Sequence, residues 1–384
     1  MKKLFTLLAL TVGFTINAQS DSQGNTNFGT RSLDSNTSGS NNSAFGYQPL
    51  KSNTTGNDNT AFGGKSLEFN TTGTDNSASG AYSLRNNTTG NYNTASGNRS
   101  LFSNTIGDYN TASGNRSLYS NTTGDKNTAS GYASLYFNTT GDENTASGYQ
   151  SLHSNTTGDE NTASGYQSLY SNTTGIQNTA SGVYSLYYNT VGYENTAVGY
   201  SALERNTTGI QNTASGVYSL YYNTAGNNNT SSGYESLSLN TTGNNNTASG
   251  YFSLNSNTTG ANNTAFGYKA EASANNATNQ TVIGYEATGQ VDNSVVLGND
   301  DVIAVYMGED SGAKVYAGEG SFTGNMTIGG DVVVSSDARL KANIMSLGST
   351  LAKLLLIDGK SYTMKKDGKQ KIGVLAQDIQ KVFP

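Results

Sequence analysis

The sequence predicts an all-β fold, a coiled β-roll or solenoid. Three observations carry this reading. A 17-residue unit recurs without insertion through most of the chain. Two glycines, one leucine and one asparagine are fixed in every full unit. Asn, Thr, Ser and Gly dominate, and the apolar residues do not follow a 3.6-residue period, which leaves no case for helix.

One unit reads Asn161-Thr-Ala-Ser-Gly165-Tyr-Gln-Ser-Leu169-Tyr-Ser-Asn172-Thr-Thr-Gly175-Ile-Gln177, and Asn178 starts the next. With Asn161 as position one, position five is Gly in 15 successive copies, Gly29 to Gly267. Position nine is Leu in 14, Leu33 to Leu254, and over that stretch twelve is always Asn and fifteen always Gly. Bulk composition alone, with 12% charged and 34% hydrophobic residues, would suggest disorder. A disordered chain needs no register, so the periodicity overrides the composition. No unit holds enough apolar material to fold alone, so stability must come from stacking, as in other solenoids.

Stacked about 4.8 Å apart, Leu169 and its equivalents form one apolar spine. Asn172 and its equivalents form an amide ladder in which each side chain donates to a neighbouring copy, satisfying polar groups that are costly to bury unpaired. Gly165 and Gly175 mark two corners, through positive φ or close backbone approach. An odd repeat would flip every side chain in an unbroken strand pattern, so the corners must absorb one residue. This predicts two short strands per coil.

The flanks differ from the array. Lys2 and Lys3 precede an apolar run from Leu4 to about Phe14, and a small residue, Ala18, follows. This is the pattern of a secretory signal over 1–18, cut between Ala18 and Gln19. The run is too short for a spanning helix, and no membrane span is expected in the mature chain. With no Cys, neither disulfides nor thiolate chemistry are available. A net charge of −6 with no basic stripe argues against nucleic acid as a partner. The expected boundaries are an array over 19–300, a β stalk or neck over 301–334, and a separate segment over 335–384.

The Asn-Thr/Ser-Ala-x-Gly core, as in Asn76-Ser-Ala-Ser-Gly80 and Asn195-Thr-Ala-Val-Gly199, resembles the head repeats of trimeric autotransporter adhesins of the YadA type. The step from Gly284 to Gly298 shortens to 14 residues, the usual length in those heads. The resemblance covers about residues 25 to 300 and implies a left-handed parallel β-roll that trimerises side by side. The C-terminal membrane β-barrel segment of those adhesins has no counterpart here.

The segment from Ser335 carries three motifs in order: Ser335-Ser336-Asp337-Ala338-Arg339-Leu340-Lys341, Gly359-Lys-Ser-Tyr362, and Ile372-Gly373-Val-Leu-Ala-Gln377 running to Val382-Phe383-Pro384. A helix-like stretch, Leu347 to Ile357, lies between the first two. The segment resembles the intramolecular chaperone domain of endosialidases and phage tail fibres, a self-cleaving serine peptidase family. The resemblance implies a trimeric fibre assembled by this α+β domain, which then cuts itself off. Ser336 would be the nucleophile, Lys341 the base, and Ser335–Ser336 the scissile bond. A Ser hydroxyl needs such a base, and a Lys serves when burial makes it neutral. Family members continue past this point, so 335–384 is expected to be an incomplete domain.

Other features are expected to be minor. Asp108, Asp125, Asp142 and Asp159 share position sixteen and read as solvated corner residues rather than a Ca²⁺ site. The single His153, at variable position ten among tyrosines, reads as a surface substitution, and one His cannot build a metal centre. No metal or cofactor is expected. The Tyr-rich row at position ten suits contact with a neighbouring chain, or with a host, cell-surface or glycan ligand. The sequence therefore reads as an exported trimeric, adhesin-like fibre that acts as a peptidase only on itself, if at all. A phage-type receptor-binding tail fibre and a purely structural adhesin with an inert C-terminal remnant are the alternatives.

Overall fold

The computed structural model describes residues 19–303, 305, 360–363 and 370–373. The chain divides into two compact units, Met1–Met307 and Gly308–Pro384.

The first unit is a parallel β-solenoid. After a short strand β1 (Gln19–Ser20), one three-residue strand recurs per coil from β2 (Thr26–Phe28) through β10 (Thr162–Ser164) to β16 (Thr264–Phe266). Two four-residue strands, β17 (Gln280–Ile283) and β18 (Ser294–Leu297), end the series. Each strand from β2 on pairs in parallel with the next, residue i against i+17, as Ala163 with Ala180. The last step, β17 to β18, pairs i with i+14. At ordinary strand spacing, β2 to β18 spans about 75 Å. No helix occurs among the described residues.

The expected spine is present. In coil after coil the strand presents Thr and Ser outward and Ala inward, the alternation a half-buried strand requires. Ala163 and Leu169 are both fully buried, as are nearly all their equivalents. Across the narrow interior lie one Ala and one Leu in most coils, with amides and the buried Ser of position eight, such as Ser168, filling the rest.

The amides form two ladders, not one. At position twelve, Asn172 Nδ2 donates to Asn155 Oδ1 at 2.8 Å and to the Gly175 carbonyl at 2.9 Å. At position one, Asn161 Nδ2 donates to Asn144 Oδ1 at 3.1 Å and to the same Gly175 carbonyl at 2.8 Å. The Asn161 backbone N–H also donates to Asn144 Oδ1, at 3.0 Å. The Gly175 carbonyl thus accepts two bonds, its full lone-pair capacity, and ties the two ends of one coil together.

The predicted second strand is absent. In its place the backbone alternates through the left-handed region: Gln167 has φ 50°, Leu169 φ 52° and, at the next corner, Gln177 φ 56°. The same three positions repeat this in nearly every coil. Such a conformation costs about 1–2 kcal/mol for a residue with a side chain. The reason it persists is visible in the bonds it permits. Gln167 N–H points to the Tyr149 carbonyl of the preceding coil at 2.9 Å, and Leu169 N–H to the Ser185 carbonyl of the following one at 2.9 Å. The N–H groups of Gly165 and Gln167 thus point to the preceding coil and those of Leu169 and Ser171 to the following one, so the direction of bonding switches once within this segment.

The two glycines meet different demands. Gly165 has φ 135°, and a Cβ there would also lie 2.6 Å from the Gly182 carbonyl oxygen. Gly175 has no positive φ. A Cβ on it would collide with Asn172 Oδ1 and the Gly192 carbonyl.

The two ends of the array differ. At the start, β1 folds back antiparallel on β2, which covers the open edge of the sheet. Asp21 accepts from Asn25 Nδ2 at 3.0 Å and from the Asn25 N–H at 2.9 Å. These bonds hold its carboxyl below the usual carboxylate range. Gln23 Oε1 accepts from Asn36 Nδ2 at 3.1 Å. Asp21 and Gln23 therefore terminate both amide ladders. At the other end Ala274 stands where position twelve would carry Asn, and Asn257 Oδ1 is left buried without a partner.

Leu169→Ala is expected to destabilise the full chain by about 2–5 kcal/mol, the range for a deleted core Leu. Asn172→Ala should cost about 2 kcal/mol, because it orphans Asn155 Oδ1 and one N–H of Asn189. Urea unfolding of both variants checks this; an Asn172→Ala chain as stable as the parent would mean the ladder contributes nothing.

Candidate functional site

Outside the spine, the side chains that vary between coils stack on their own equivalents. At position ten, Phe102, Tyr119, Tyr136, His153, Tyr170 and Tyr187 form one continuous pile. Neighbouring ring centres are 4.9–5.3 Å apart and the planes lie within 12°. The spacing follows from the coil rise rather than from ring attraction alone, since each ring is carried one strand spacing along the axis. Position six bears two shorter piles, Tyr132–Tyr149–Tyr166 and Tyr234–Tyr251–Tyr268–Tyr285. A third patch, Phe28, Phe45 and Phe62 at position four, is apolar and borders a shallow cavity.

His153 is not a plain surface substitution. It is half-buried, stacks between Tyr136 and Tyr170, and meets the Phe137 ring edge-on at 5.1 Å. Burial pushes its imidazole below the usual value, which favours the neutral ring. The Asp row at position sixteen has a structural task. Asp125 Oδ1 accepts the Asp108 N–H at 2.7 Å, Asp142 Oδ1 that of Asp125 at 2.7 Å, and Asp159 Oδ1 that of Asp142 at 2.8 Å. Asn57 does the same for Ser40 at 2.8 Å, so an acceptor serves this corner charged or not, although Ile176, Ile210 and Ala261 hold the same position without one.

Glu271 escaped the sequence reading. It occupies position nine, where the preceding 14 coils carry Leu. Its carboxylate lies 3.3 and 3.4 Å from the Ser256 N–H. Desolvation outweighs that contact and raises its pKa to about 7. The break in the Leu series was the available signal.

In the second unit, β19 (Lys360–Thr363) pairs antiparallel with β20 (Gln370–Gly373), Tyr362 opposite Lys371 and Ser361 opposite Ile372. Lys360 to Tyr362 of the Gly-x-x-Tyr motif and the start of the Ile372-Gly373 run therefore lie on paired strands. Ser335, Ser336 and Lys341 lie outside the described residues, as do Ala18, the stretch 347–357 and nearly all of 301–334. Gln19, on the other side of the expected signal cut, opens β1.

Comparison with known proteins bears on this second unit. A family model described as chaperone of endosialidase matches residues 336–384. The C-terminal segment is therefore similar to that family, and joined to a repeat solenoid it fits a fibre with a chaperone-like C-terminus. No curated protein matches the chain.

Glu271 yields a pH prediction. Its folded pKa stands above the unfolded value, so the native state holds the extra proton. Stability from this group is full below about 4.5 and is lost as pH rises through about 7. Glu271→Gln should therefore raise stability at pH 8, by on the order of 2 kcal/mol, and change little at pH 4.5. Thermal unfolding of parent and variant at both pH values is the check; an identical pH dependence in the two would refute the assignment.

Proposed function

We propose that this chain is an exported, trimeric, adhesin-like fibre protein, and that its C-terminal segment is an intramolecular chaperone that assembles three copies and then cleaves itself. The observation that carries the reading is where the family match begins. It starts at Ser336, the residue that would head the released fragment. The solenoid supports it from the other side: an axially stacked rod whose amide ladders are capped at their N-terminal end suits a fibre shaft or head. A signal cut between Ala18 and Gln19 would leave the whole capping hairpin in the mature chain. The left-handed, YadA-type head and a host, cell-surface or glycan ligand belong to the same proposal.

The chemistry needs no external substrate. Lys341, neutral, takes the Ser336 hydroxyl proton. Ser336 Oγ adds to the Ser335 carbonyl, the Ser335–Ser336 C–N bond breaks, and the new amine receives the proton. Water then hydrolyses the ester and releases the fragment. Burial of Lys341 is what would make it a base at neutral pH, so cleavage would follow assembly rather than precede it.

Intact mass of the secreted protein, native and denatured, tests this beside Ser336→Ala and Lys341→Ala. The parent is expected to be cut between Ser335 and Ser336, both variants to remain whole, and all three to have the native mass of a trimer. A parent chain left uncut would remove the peptidase reading, and a monomeric native mass would remove the trimer.

A further inference from the structure

The position-ten pile stops at Tyr187 because the next coil lacks its rings. Coils 178–194 and 212–228 carry Tyr at positions seven, ten and eleven: Tyr184, Tyr187 and Tyr188 in one, Tyr218, Tyr221 and Tyr222 in the other. The coil between them carries Ser201, Glu204 and Arg205 at the same positions. One rung is thus missing from a ladder whose rungs are about 4.8 Å apart. The flanking rings stand about 10 Å from one another, room for a single group of ring thickness.

The three gaps are filled differently. At position eleven the Arg205 guanidinium lies between two rings, 5.9 Å from the Tyr188 centre and 5.4 Å from the Tyr222 centre. At position seven the Tyr200 ring of the same coil stands edge-on between Tyr184 and Tyr218, 6.1 and 5.5 Å from their centres, while at position ten Glu204 is too short to replace a ring. A cavity of about 390 Å³ opens there, walled by Tyr184 and Tyr187 on one side and by Tyr218 and Tyr221 on the other. Arg205 borders a separate groove, and its guanidinium also lies 5.6 Å from the centre of the Tyr221 ring that walls this cavity. Glu204 Oε1 accepts the Tyr221 hydroxyl at 3.3 Å, which fixes one wall to the floor.

We propose that this cavity binds an alkylated organic ammonium group, seated between the Tyr187 and Tyr221 rings with Glu204 as its counter-ion. The face of a tyrosine ring is the negative side of its quadrupole and attracts a weakly hydrated cation. The one charged group in the lining is a carboxylate, which accepts hydrogen bonds and donates none. The chain itself places a guanidinium in the adjoining gap, so the spacing of these coils accommodates a cation between two rings. A single carboxylate is too few oxygen ligands for a divalent metal ion. Position ten varies freely along the array, from Lys51 to Ser238 to Tyr170, so the choice of Glu204 is not imposed by the fold.

Calorimetric titration of the full chain with choline chloride tests this. Its uncharged isostere 3,3-dimethylbutan-1-ol and n-butylammonium chloride serve as parallel probes. Choline is expected to bind saturably at one site per chain, and the alcohol at least tenfold more weakly. Glu204→Gln should weaken choline binding at least tenfold. Glu204→Tyr, which restores the missing rung with a residue that position ten already accepts, should abolish it. Choline binding more tightly than butylammonium identifies a quaternary headgroup; the reverse order identifies a lysine-like ammonium, and both sustain the assignment. Equal binding of choline and the alcohol would point to a neutral ligand and overturn it. So would undiminished affinity in Glu204→Gln, or no saturable binding by either cation.

Discussion

Everything in the solenoid depends on two amide ladders that share one acceptor per coil. Asn161 and Asn172 stand at opposite sides of the corner, yet both donate to the Gly175 carbonyl. Each also donates to its own copy one coil back. Closure of a coil and attachment to its neighbour are therefore carried by the same two side chains. This explains the glycine: any side chain on Gly175 would enter the space the Asn172 amide occupies. It also explains why so little apolar material suffices. A buried, fully paired amide row replaces what would be a wider hydrophobic core, and Leu169 with Ala163 fills the remainder.

Much of this was legible in the sequence, because the governing interactions recur at fixed spacing. The Leu spine, the Asn172 ladder and the parallel stacking all follow from period alone. Position one was also invariantly Asn from Asn25 to Asn263, and the second ladder could have been read from that row. The left-handed backbone at Gln167, Leu169 and Gln177 could not. Leu and Gln carry no preference for φ near 50°, and the conformation exists only because neighbouring coils accept the redirected N–H groups. That tertiary demand replaced the expected second strand by an alternating segment. Glu271 and the gap at Ser201–Glu204 were visible only as departures from the period, and their meaning depended on what lies one coil above and below.

The array separates structure from surface. Positions one, three, nine, twelve and fifteen build the rod and scarcely change. Positions six, seven, ten and eleven vary, and whatever is placed there is displayed at one strand spacing from its neighbours. Aromatic piles result where successive coils agree, and a cavity results where one coil differs. A rod of this kind can acquire a binding site by changing a few residues in a single coil, without cost to the ladders beneath. The C-terminal unit shares none of this periodicity. Its two described strands bring together motifs that are separated in sequence, as expected of a small domain rather than of a repeat.

The most direct test of the account is urea unfolding of two deletion variants of the full chain. Removing 161–177 deletes one coil and joins Glu160 to Asn178, which leaves every ladder in register. Removing 161–176 deletes one residue fewer and shifts all later coils against the earlier ones. The account predicts that the first variant remains folded with a single coil's loss of stability. It predicts that the second loses cooperative unfolding across the junction. Equal stability of the two would contradict it, because the ladders would then not be what joins one coil to the next.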